Sequence, residues 1–332
     1  MKKNVTLKRL VQMTITLLLF CRISGFALGV NESVNSPIVP FSLQDIVYVD
    51  DEYNESTPGW GYDHFSTIQE GIDAVNPSGT VKVYNGTYKE NVIINKKITL
   101  IGSDKDQYGN ITAKPVISDP AVGIVIIGKD ASGTNVSHFD IINCNGEGIL
   151  VLYSESVEIY ENKITSNGRG IHLIKSPDCL IQRNVISWNI DEALYIEKSN
   201  NCTIDYNFFQ YNNLSGIEVY HSGGITFSRN NLSYNGNRTV EGGYNIYLVG
   251  NFDQANIIKN NNFYDNNNYG KIRFLQSKNE WNGNYWNKGS SKYVHLIWGK
   301  NSYISFLPFI LIGFQIDKSP KETPYTYLCP VL

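Results

Sequence analysis

The feature that most constrains this chain is a segment of about 22 residues that recurs along most of its length. Residues 170–189 read GIHLIKSPDCLIQRNVISWN and residues 193–212 read ALYIEKSNNCTIDYNFFQYN, so that apolar positions, a Cys and two Asn coincide at an offset of 23. Two polar positions of the unit recur with the same steps of 22, 22, 23, 23, 31 and 18 residues. The first position holds Asp140, Asn162, Asn184, Asn207, Asn230, Asn261 and Asn279. The second position holds Asn145, Asn167, Asn189, Asn212, Asn235, Asn266 and Asn284. Units that repeat in this way predict a repeat array.

The spacing of apolar residues selects the kind of array. Apolar residues alternate within each unit, as in Ile171-x-Leu173 and Leu194-x-Ile196, and Ser, Asn, Gly and Asp separate the short runs. Alternation predicts strands with one buried face, whereas helical repeats are longer and follow a 3.6-residue period. Three short strands and three turns fit in one unit, which predicts an all-β, three-sided parallel β-helix with a rise of about 4.8 Å per coil.

Equivalent residues of successive coils stack in such a fold. This predicts one core column at Ile159, Ile181, Ile204, Phe227 and Ile258. It also predicts two structural Asn ladders, the first at Asn162, Asn184, Asn207 and Asn230 and the second at Asn167, Asn189, Asn212 and Asn235. Before the array, Ser66 or Thr67 can cap a short helix that ends at Asn76-Pro77 and has Ile68, Ile72 and Val75 on one face. Because a solenoid otherwise exposes its core at its end, we expect this helix to cover the first coil.

Two segments make the prediction more specific. FSTIQEGIDAV…GTVKVYNGTYKENVIINKKITLIGS resembles the N-terminal cap and first coils of pectin-lyase-like right-handed β-helix proteins, and NEWNGNYWN at 279–287 resembles the closing motif of archaeal surface proteins of this group. The units between them are similar to the repeats of the NosD-like family. The resemblance implies a right-handed single-stranded β-helix over residues 46–290, with a C-terminal cap or tail at 291–332. It also implies carbohydrate as a ligand class, or a copper accessory role as in NosD-like proteins.

The N-terminus predicts export. Residues 1–29 have a basic start, an apolar stretch and a small-x-small exit, which is typical of a signal peptide, and residues 30–45 have the composition of a linker. A signal that is not cleaved and serves as an anchor is the alternative, and no later segment reaches membrane-spanning length. The mature protein is therefore expected in a secreted, cell-surface or periplasm-like location. The net charge of −3, with no basic stripe, argues against nucleic acid as a partner.

Metal binding has little support in the residues. Copper sites need clustered His, Cys or Met, but both Met lie in the first 13 residues and the five His are widely separated. We therefore expect no metal and no other cofactor.

Cys179 and Cys202 occupy the same position of adjacent units, and we expect buried free thiols there rather than a disulfide. The GYDH segment at 61–64 is expected to anchor the loop before the helix.

The outward positions of one strand suggest a ligand surface. One position holds Leu150, His172, Tyr195, Glu218, Tyr247 and Arg273, and the next holds Leu152, Ile174, Glu197, Tyr220, Val249 and Leu275. Tyrosines offer a flat apolar surface with a polar tip, and acids accept hydrogen bonds from sugar hydroxyls, which gives His172, Tyr195, Glu197, Glu218, Tyr220 and Tyr247 as candidate saccharide ligands. A second aromatic column holds Trp188, Tyr211 and Tyr234. The opposing interpretation is that sheets simply favour aromatic residues.

Two functional classes follow from this surface. The first is a non-catalytic protein that binds carbohydrate, or envelope components, or has a structural role in an envelope layer. The second is a polysaccharide lyase, glycoside hydrolase or epimerase, which requires paired acids, or an acid with Tyr or His, within a few ångströms of one another. Glu218 with Tyr195 and His172 is the trio that such an enzyme would use, and the sequence predicts the first class.

Overall fold

The computed structural model describes residues 44–236, 243–264, 271–287, 295–300 and 312–317, together with residues 319–321, 323, 324 and 326. These residues belong to one structural unit, Leu43–Leu332. The predicted signal at 1–29 and nearly all of the predicted linker lie outside the described residues. None of the helices in the described part of the chain combines the length and the apolar character that crossing a membrane requires.

The strands stack in three parallel sheets that wind around a common core. Sheet I contains β5 Val92–Ile94, β8 Ile124–Ile127, β11 Glu147–Leu152, β14 Arg169–Ile174, β17 Leu194–Glu197, β20 Ile217–Tyr220 and the first parts of β23 Tyr244–Lys259 and β25 Lys271–Asn282, followed by β27 His295–Lys300. Successive strands of the sheet belong to successive coils, so the expected parallel β-helix is confirmed.

The other two sheets follow the same order. Sheet II contains β1 Gln44–Val49, β2 His64–Phe65, β3 Val75–Val83, β6 Thr99–Gly102, β9 Asn135–Ser137, β12 Glu158–Tyr160, β15 Leu180–Gln182, β18 Thr203–Asp205, β21 Thr226–Ser228, the second parts of β23 and β25, and β28 Ile312–Asp317. Sheet III contains β4 Thr87–Tyr88, β7 Val116–Ser118, β10 Asp140–Ile142, β13 Lys163–Thr165, β16 Val185–Ser187, β19 Phe208–Gln210, β22 Asn231–Ser233, β24 Asn262–Tyr264 and β26 Tyr285–Trp286.

Alternation places one column of apolar side chains from each sheet in the core. The predicted column is confirmed and continues to Trp281, because Ile159 pairs in register with Ile181 and the same register leads through Ile204, Phe227 and Ile258. All of these side chains are buried. The core columns are apolar and buried, so their burial supplies the main stabilisation of the fold.

The predicted capping helix is also present. Helix α1, Ile68–Ala74, begins after Thr67, whose side chain accepts a hydrogen bond from the backbone N–H of Glu70. The Glu90 carboxylate accepts two more backbone N–H groups of the first turn, from Ile68 at 2.8 Å and Gln69 at 3.0 Å. Ile68 and Ile72 are buried in the core. A short 3-10 turn, Lys129–Ala131, follows β8.

Two corners of each coil carry the Asn ladders. In the first ladder, the backbone N–H of Asn184 donates to Asn207 Oδ1 at 2.9 Å, and Asn207 repeats the contact to Asn230. Each amide Nδ2 also donates to a backbone carbonyl of the preceding coil, as from Asn207 to Ile181 at 2.7 Å. The second ladder has the same form from Asn167 through Asn189 and Asn212 to Asn235. The residue before each ladder Asn has a positive φ, for example 60° at Trp188.

The ends of both ladders differ from the prediction. Asn162 and Asn167 accept from the backbone N–H of Phe139 and Cys144, so the preceding positions are Phe139 and Cys144, one residue before the predicted Asp140 and Asn145. Beyond Asn261 the first ladder continues to Asn284, not to the predicted Asn279, which pairs with Asn256 instead. The second ladder continues from Asn235 to Asn245. The predicted Asn266 lies outside the described residues.

The third corner carries a ladder of Ser that the sequence analysis missed. The backbone N–H groups of Ser154, Ser176 and Ser199 donate to the hydroxyl oxygen of the Ser one coil further, ending at Ser222, at 3.3, 2.8 and 2.8 Å. Cys179 and Cys202 lie just after this corner as buried free thiols, as expected. A neighbouring thiol and burial raise the pKa of Cys202 well above its usual value.

The segment after residue 290 contributes to closing the array. Strands β27 and β28 form an antiparallel pair, and β28 ends at the buried Asp317. Its carboxylate accepts hydrogen bonds from the backbone N–H of Gly283 and from both the backbone and side chain of Asn284, at 2.9 to 3.1 Å. Because a carboxylate only accepts, Asp317 ends the first Asn ladder without leaving a donor unpaired.

Candidate functional site

The candidate surface is the outer face of sheet I, which we call the sheet I face. The register confirms both predicted outward columns: His172 pairs with Tyr195, Tyr195 with Glu218 and Glu218 with Tyr247, while Glu197 pairs with Tyr220. Successive side chains of a column belong to adjacent parallel strands and are therefore about 4.8 Å apart along the axis. The candidate residues thus form one patch across four coils.

The tyrosines form a continuous aromatic strip on this face. The rings of Tyr195 and Tyr220 stack with centroids 5.7 Å apart and 29° between their planes, and Tyr247 meets Tyr220 edge-on at 6.1 Å. All three side chains are partly exposed. Burial raises the pKa of each hydroxyl, so the three phenols stay protonated and can donate hydrogen bonds at neutral pH.

A buried charge cluster adjoins the strip, and the sequence analysis did not predict it. The guanidinium of Arg169 lies 3.3 Å from Glu147 and 2.8 Å from Glu192, and it stacks over the Tyr195 ring at 4.7 Å. The side chain of Arg169 is only 14% exposed and that of Glu192 5%. Glu147, Arg169 and Glu192 are separated by 22 and 23 residues, and this spacing could have shown that they are neighbours on successive coils. They were missed because charged residues between short apolar runs are typical of turns.

His172 lies beneath this surface rather than on it. The ring is 5% exposed and is covered edge-on by Tyr195 at 4.9 Å, so its predicted role as an accessible polar contact is wrong for this conformation. Nδ1 lies 3.2 Å from both Glu147 Oε1 and Arg169 Nη1, and Nε2 has no hydrogen-bond partner among the described residues. Burial lowers the pKa of His172, which makes the ring neutral at neutral pH.

The acids of the face have contrasting environments. Burial alone would raise the pKa of Glu147, but the hydrogen bond from His172 and the charge of Arg169 lower it to about 2. Burial and the neighbouring Glu192 carboxylate raise the pKa of Glu218 to about 8. Glu197 is more exposed and lies 3.1 Å from Lys198. At neutral pH, Glu218 therefore holds a proton, whereas Glu147 does not.

The second aromatic column lies at the corner between sheets III and I. Trp188, Tyr211 and Tyr234 stack nearly parallel, with centroids 4.4 and 4.6 Å apart. Their faces cover one another, so the stack presents mainly ring edges to a ligand. The two ends of the stack, Trp188 and Tyr234, are 60% and 43% exposed.

The remaining candidates have structural surroundings. His64 Nδ1 lies 2.7 Å from Asp63, and its ring stacks on Tyr48 at 5.1 Å, so both residues fix the loop before α1 as expected. Tyr62 is 53% exposed and does not share that role. Among the described residues, no three His, Cys, Asp or Glu side chains are grouped so that they could hold a metal ion.

Chemically, the centre of the sheet I face is rich in hydrogen-bond acceptors. The carboxylates of Glu147 and Glu192 lie beside the ring of His172, and Glu197 lies nearer to solvent on the same side. The one guanidinium at the centre, Arg169, is already paired with two of them. Flat aromatic surface beside fixed acceptors is suited to a ligand with an apolar face and several hydroxyl groups.

Comparison with known proteins supports the fold. Residues 116–253 match the family model described as a right-handed β-helix region, which agrees with the expected handedness. The solved structure of the pectate lyase Pel9A is similar with a TM-score of 0.53 and 13% identity, over 74% of each chain. The Geobacillus virus E2 protein ORF18 is similar with a TM-score of 0.50 and 17% identity, over 66% of this chain and 48% of that one. No curated protein matches the sequence.

Both likenesses to solved structures show the fold alone at these identities. The chain spans about half of the length of the virus protein. The architecture is therefore that of right-handed parallel β-helix proteins, and the activity has to be argued from the residues of the face.

Proposed function

Because the chain has the right-handed parallel β-helix fold, we propose that it binds a polysaccharide along the sheet I face. The observation that carries this proposal is the aromatic strip, in which Tyr195, Tyr220 and Tyr247 occupy three adjacent coils with Glu197 and Glu218 between them. Sheets favour aromatic residues in general, but that preference does not account for carboxylates placed between them.

The dimensions of the face match a sugar chain that lies along the helix axis. Each coil adds about 4.8 Å, which is close to the length that one sugar ring adds to an extended chain. Successive rings can then stack on successive tyrosines, while their hydroxyl groups donate to the acids. A location outside the cytoplasm is part of the proposal, and it rests on the composition of residues 1–29.

A screen of the mature protein against immobilised polysaccharides tests the proposal. The variant Tyr195→Ala/Tyr220→Ala should weaken binding to any hit by about tenfold or more. Trp188→Ala/Tyr234→Ala is the matched control, since it removes two rings of the other aromatic column, and it should bind as the parent does. Because Tyr195 also covers His172 and Arg169, folding of each variant is verified by circular dichroism. Absence of binding to every glycan would favour a purely structural envelope role.

A second candidate function is supported by one observation. Glu218 keeps a proton beside the Glu192 carboxylate, and Arg169 and Tyr195 complete a group of the kind that acid–base enzymes use. A polysaccharide lyase, hydrolase or epimerase would use such a group on a bound chain. Incubation with each glycan hit, followed by mass spectrometry of the products, separates the two candidates. An enzyme would lose turnover in Glu218→Gln while keeping its binding, and a binding protein releases no product.

A further inference from the structure

We infer that the sheet I face selects polysaccharides rich in hydroxyl groups and lacking carboxylates, and that it rejects polyuronates. This inference rests on the proposed function and adds the chemical class of the ligand. It is carried by the pairing of the charged groups, by the burial of the acceptors and by a His172 ring that adds no cation.

The cations at the centre of the face are committed to acids of the chain. Arg169 contacts Glu147 and Glu192 and is stacked on Tyr195, so its guanidinium has little left for a ligand. Lys198, at the edge of the face, lies 3.1 Å from Glu197. Arg273 lies two coils beyond Glu218, and its guanidinium donates to the Tyr244 hydroxyl at 2.8 Å and stacks near Tyr247. Lys175, at the edge position one coil before Lys198, lies over the Tyr153 ring at 5.1 Å. One lysine and one arginine at the ends of the face cannot neutralise a ligand that has a carboxylate on every ring.

The acids on the same coils repel such a ligand. A polyuronate that follows the aromatic strip would bring its carboxylates close to Glu192 and Glu197. Like charges oppose binding, and they do so more strongly where the protein excludes water. A ligand carboxylate offers only acceptors to these two acids, whereas a hydroxyl group provides a donor.

His172 contributes no positive charge to the face. Its Nε2 atom is buried and lacks a partner among the described residues, while Nδ1 faces Glu147. With the proton on Nδ1, the neutral ring presents a lone pair at Nε2. The Tyr195 ring covers this atom, so His172 adds an acceptor beneath the face and no cation. A ligand carboxylate cannot pair with that lone pair.

Matched polymers test the inference, because chemical reduction of the carboxyl groups changes the charge and keeps the backbone. Polygalacturonate and polymannuronate oligosaccharides, their carboxyl-reduced forms and a panel of neutral glycans are titrated by calorimetry. We expect the neutral glycans to contain the binders, and any reduced form that binds to do so at least about tenfold more tightly than its parent uronate. The variant Glu197→Gln/Glu218→Gln should reduce this preference. At neutral pH this variant removes the charge of Glu197, since Glu218 is protonated. Glu158→Gln removes the same single charge from an exposed site outside the face and should keep the preference.

The outcomes separate the two claims. Binding of a uronate as tightly as of its reduced form, or binding confined to uronates, overturns the ligand class and leaves polysaccharide binding in place. An unchanged preference in Glu197→Gln/Glu218→Gln shows that these acids are not the selecting groups and also overturns the inference. Binding to no polymer at all overturns the proposed function and the ligand class together.

Discussion

Replacement of Asn207 by Ala should destabilise the fold far more than replacement of an exposed Asn. Asn207 is fully buried, and its amide connects three coils. Its Nδ2 donates to the carbonyls of Ile181 at 2.7 Å and Asp205 at 3.1 Å, and its Oδ1 accepts the backbone N–H of Asn184 at 2.9 Å. Its Nδ2 also donates to Asn230 Oδ1 on the next coil, and its Oδ1 also accepts from Asn184 Nδ2, both at 3.1 Å. Ala would leave two N–H groups of Asn184, two backbone carbonyls and Asn230 Oδ1 without these partners at a buried position.

The size of the effect follows from these contacts. A buried polar group that loses its partner costs about 1–3 kcal/mol, and the carbonyls keep part of their bonding, so we expect a loss of about 3–6 kcal/mol. Urea unfolding followed by circular dichroism measures the change, with the slope m compared to verify that the transition is the same. Asn85→Ala, at an exposed position, is the control and should change the free energy of unfolding by less than about 0.5 kcal/mol. Equal effects of the two substitutions would refute the claim that the ladder stabilises the corner.

Three further predictions concern the charged and thiol groups. The pKa of Glu218 is about 8 in the folded protein and near 4.3 in an unfolded chain, so the stability that its proton confers is complete below about pH 4 and is lost as the pH rises to about 8. The melting temperature of the parent should therefore fall between about pH 5 and about pH 8 and level off above that, and the melting temperature of Glu218→Gln should fall less. Equal slopes would show that Glu218 is not the titrating group. Arg169→Leu leaves the buried Glu147 and Glu192 without their cation and should cost about 3–5 kcal/mol in urea unfolding, while a cost below about 1 kcal/mol would mean that the cluster is hydrated. Cys144, Cys179 and Cys202 are buried, so a thiol reagent such as iodoacetamide should modify them only after unfolding, as located by peptide mass spectrometry. Rapid modification of any of these three in the native protein would contradict the described core.

The sequence was sufficient for the architecture because a solenoid repeats its environment in every coil. The apolar alternation at Ile171-x-Leu173 and Leu194-x-Ile196 fixes which side chains face the core, and the common offset of 23 fixes which residues are neighbours. The outward columns follow from the same two facts. Helix α1 was predictable because Thr67 and the apolar residues of one face mark its start and its orientation.

The errors occur where the coil length changes. Matching by residue type favoured Asp140 and Asn145, but the buried positions are Phe139 and Cys144, since the coil there has 23 residues. After Asn235, the ladder partner is Asn245, supplied by a coil whose length departs from the others. A Ser hydroxyl accepts at the third corner in the same way as Asn does elsewhere, but Ser is common in turns and gave no distinct signal.

The candidate site was only partly predictable for a different reason. Register places Tyr195, Glu218 and Tyr247 together, but it does not show that Tyr195 buries His172 or that Arg169 reaches two acids on neighbouring coils. These contacts depend on the rotamers of long side chains. The pKa of Glu218 depends in turn on these contacts, because Glu192 and burial raise it.

The central claim is that a polysaccharide lies along the sheet I face, and hydrogen–deuterium exchange tests it most directly. The exchange of the protein is measured alone and with a saturating amount of the tightest-binding glycan from the screen. Protection should be confined to peptides that contain β14, β17, β20 and the first part of β23, because these strands carry the aromatic strip and its acids. Protection centred on β16, β19 and β22, next to Trp188, Tyr211 and Tyr234, with sheet I unchanged, would contradict the account.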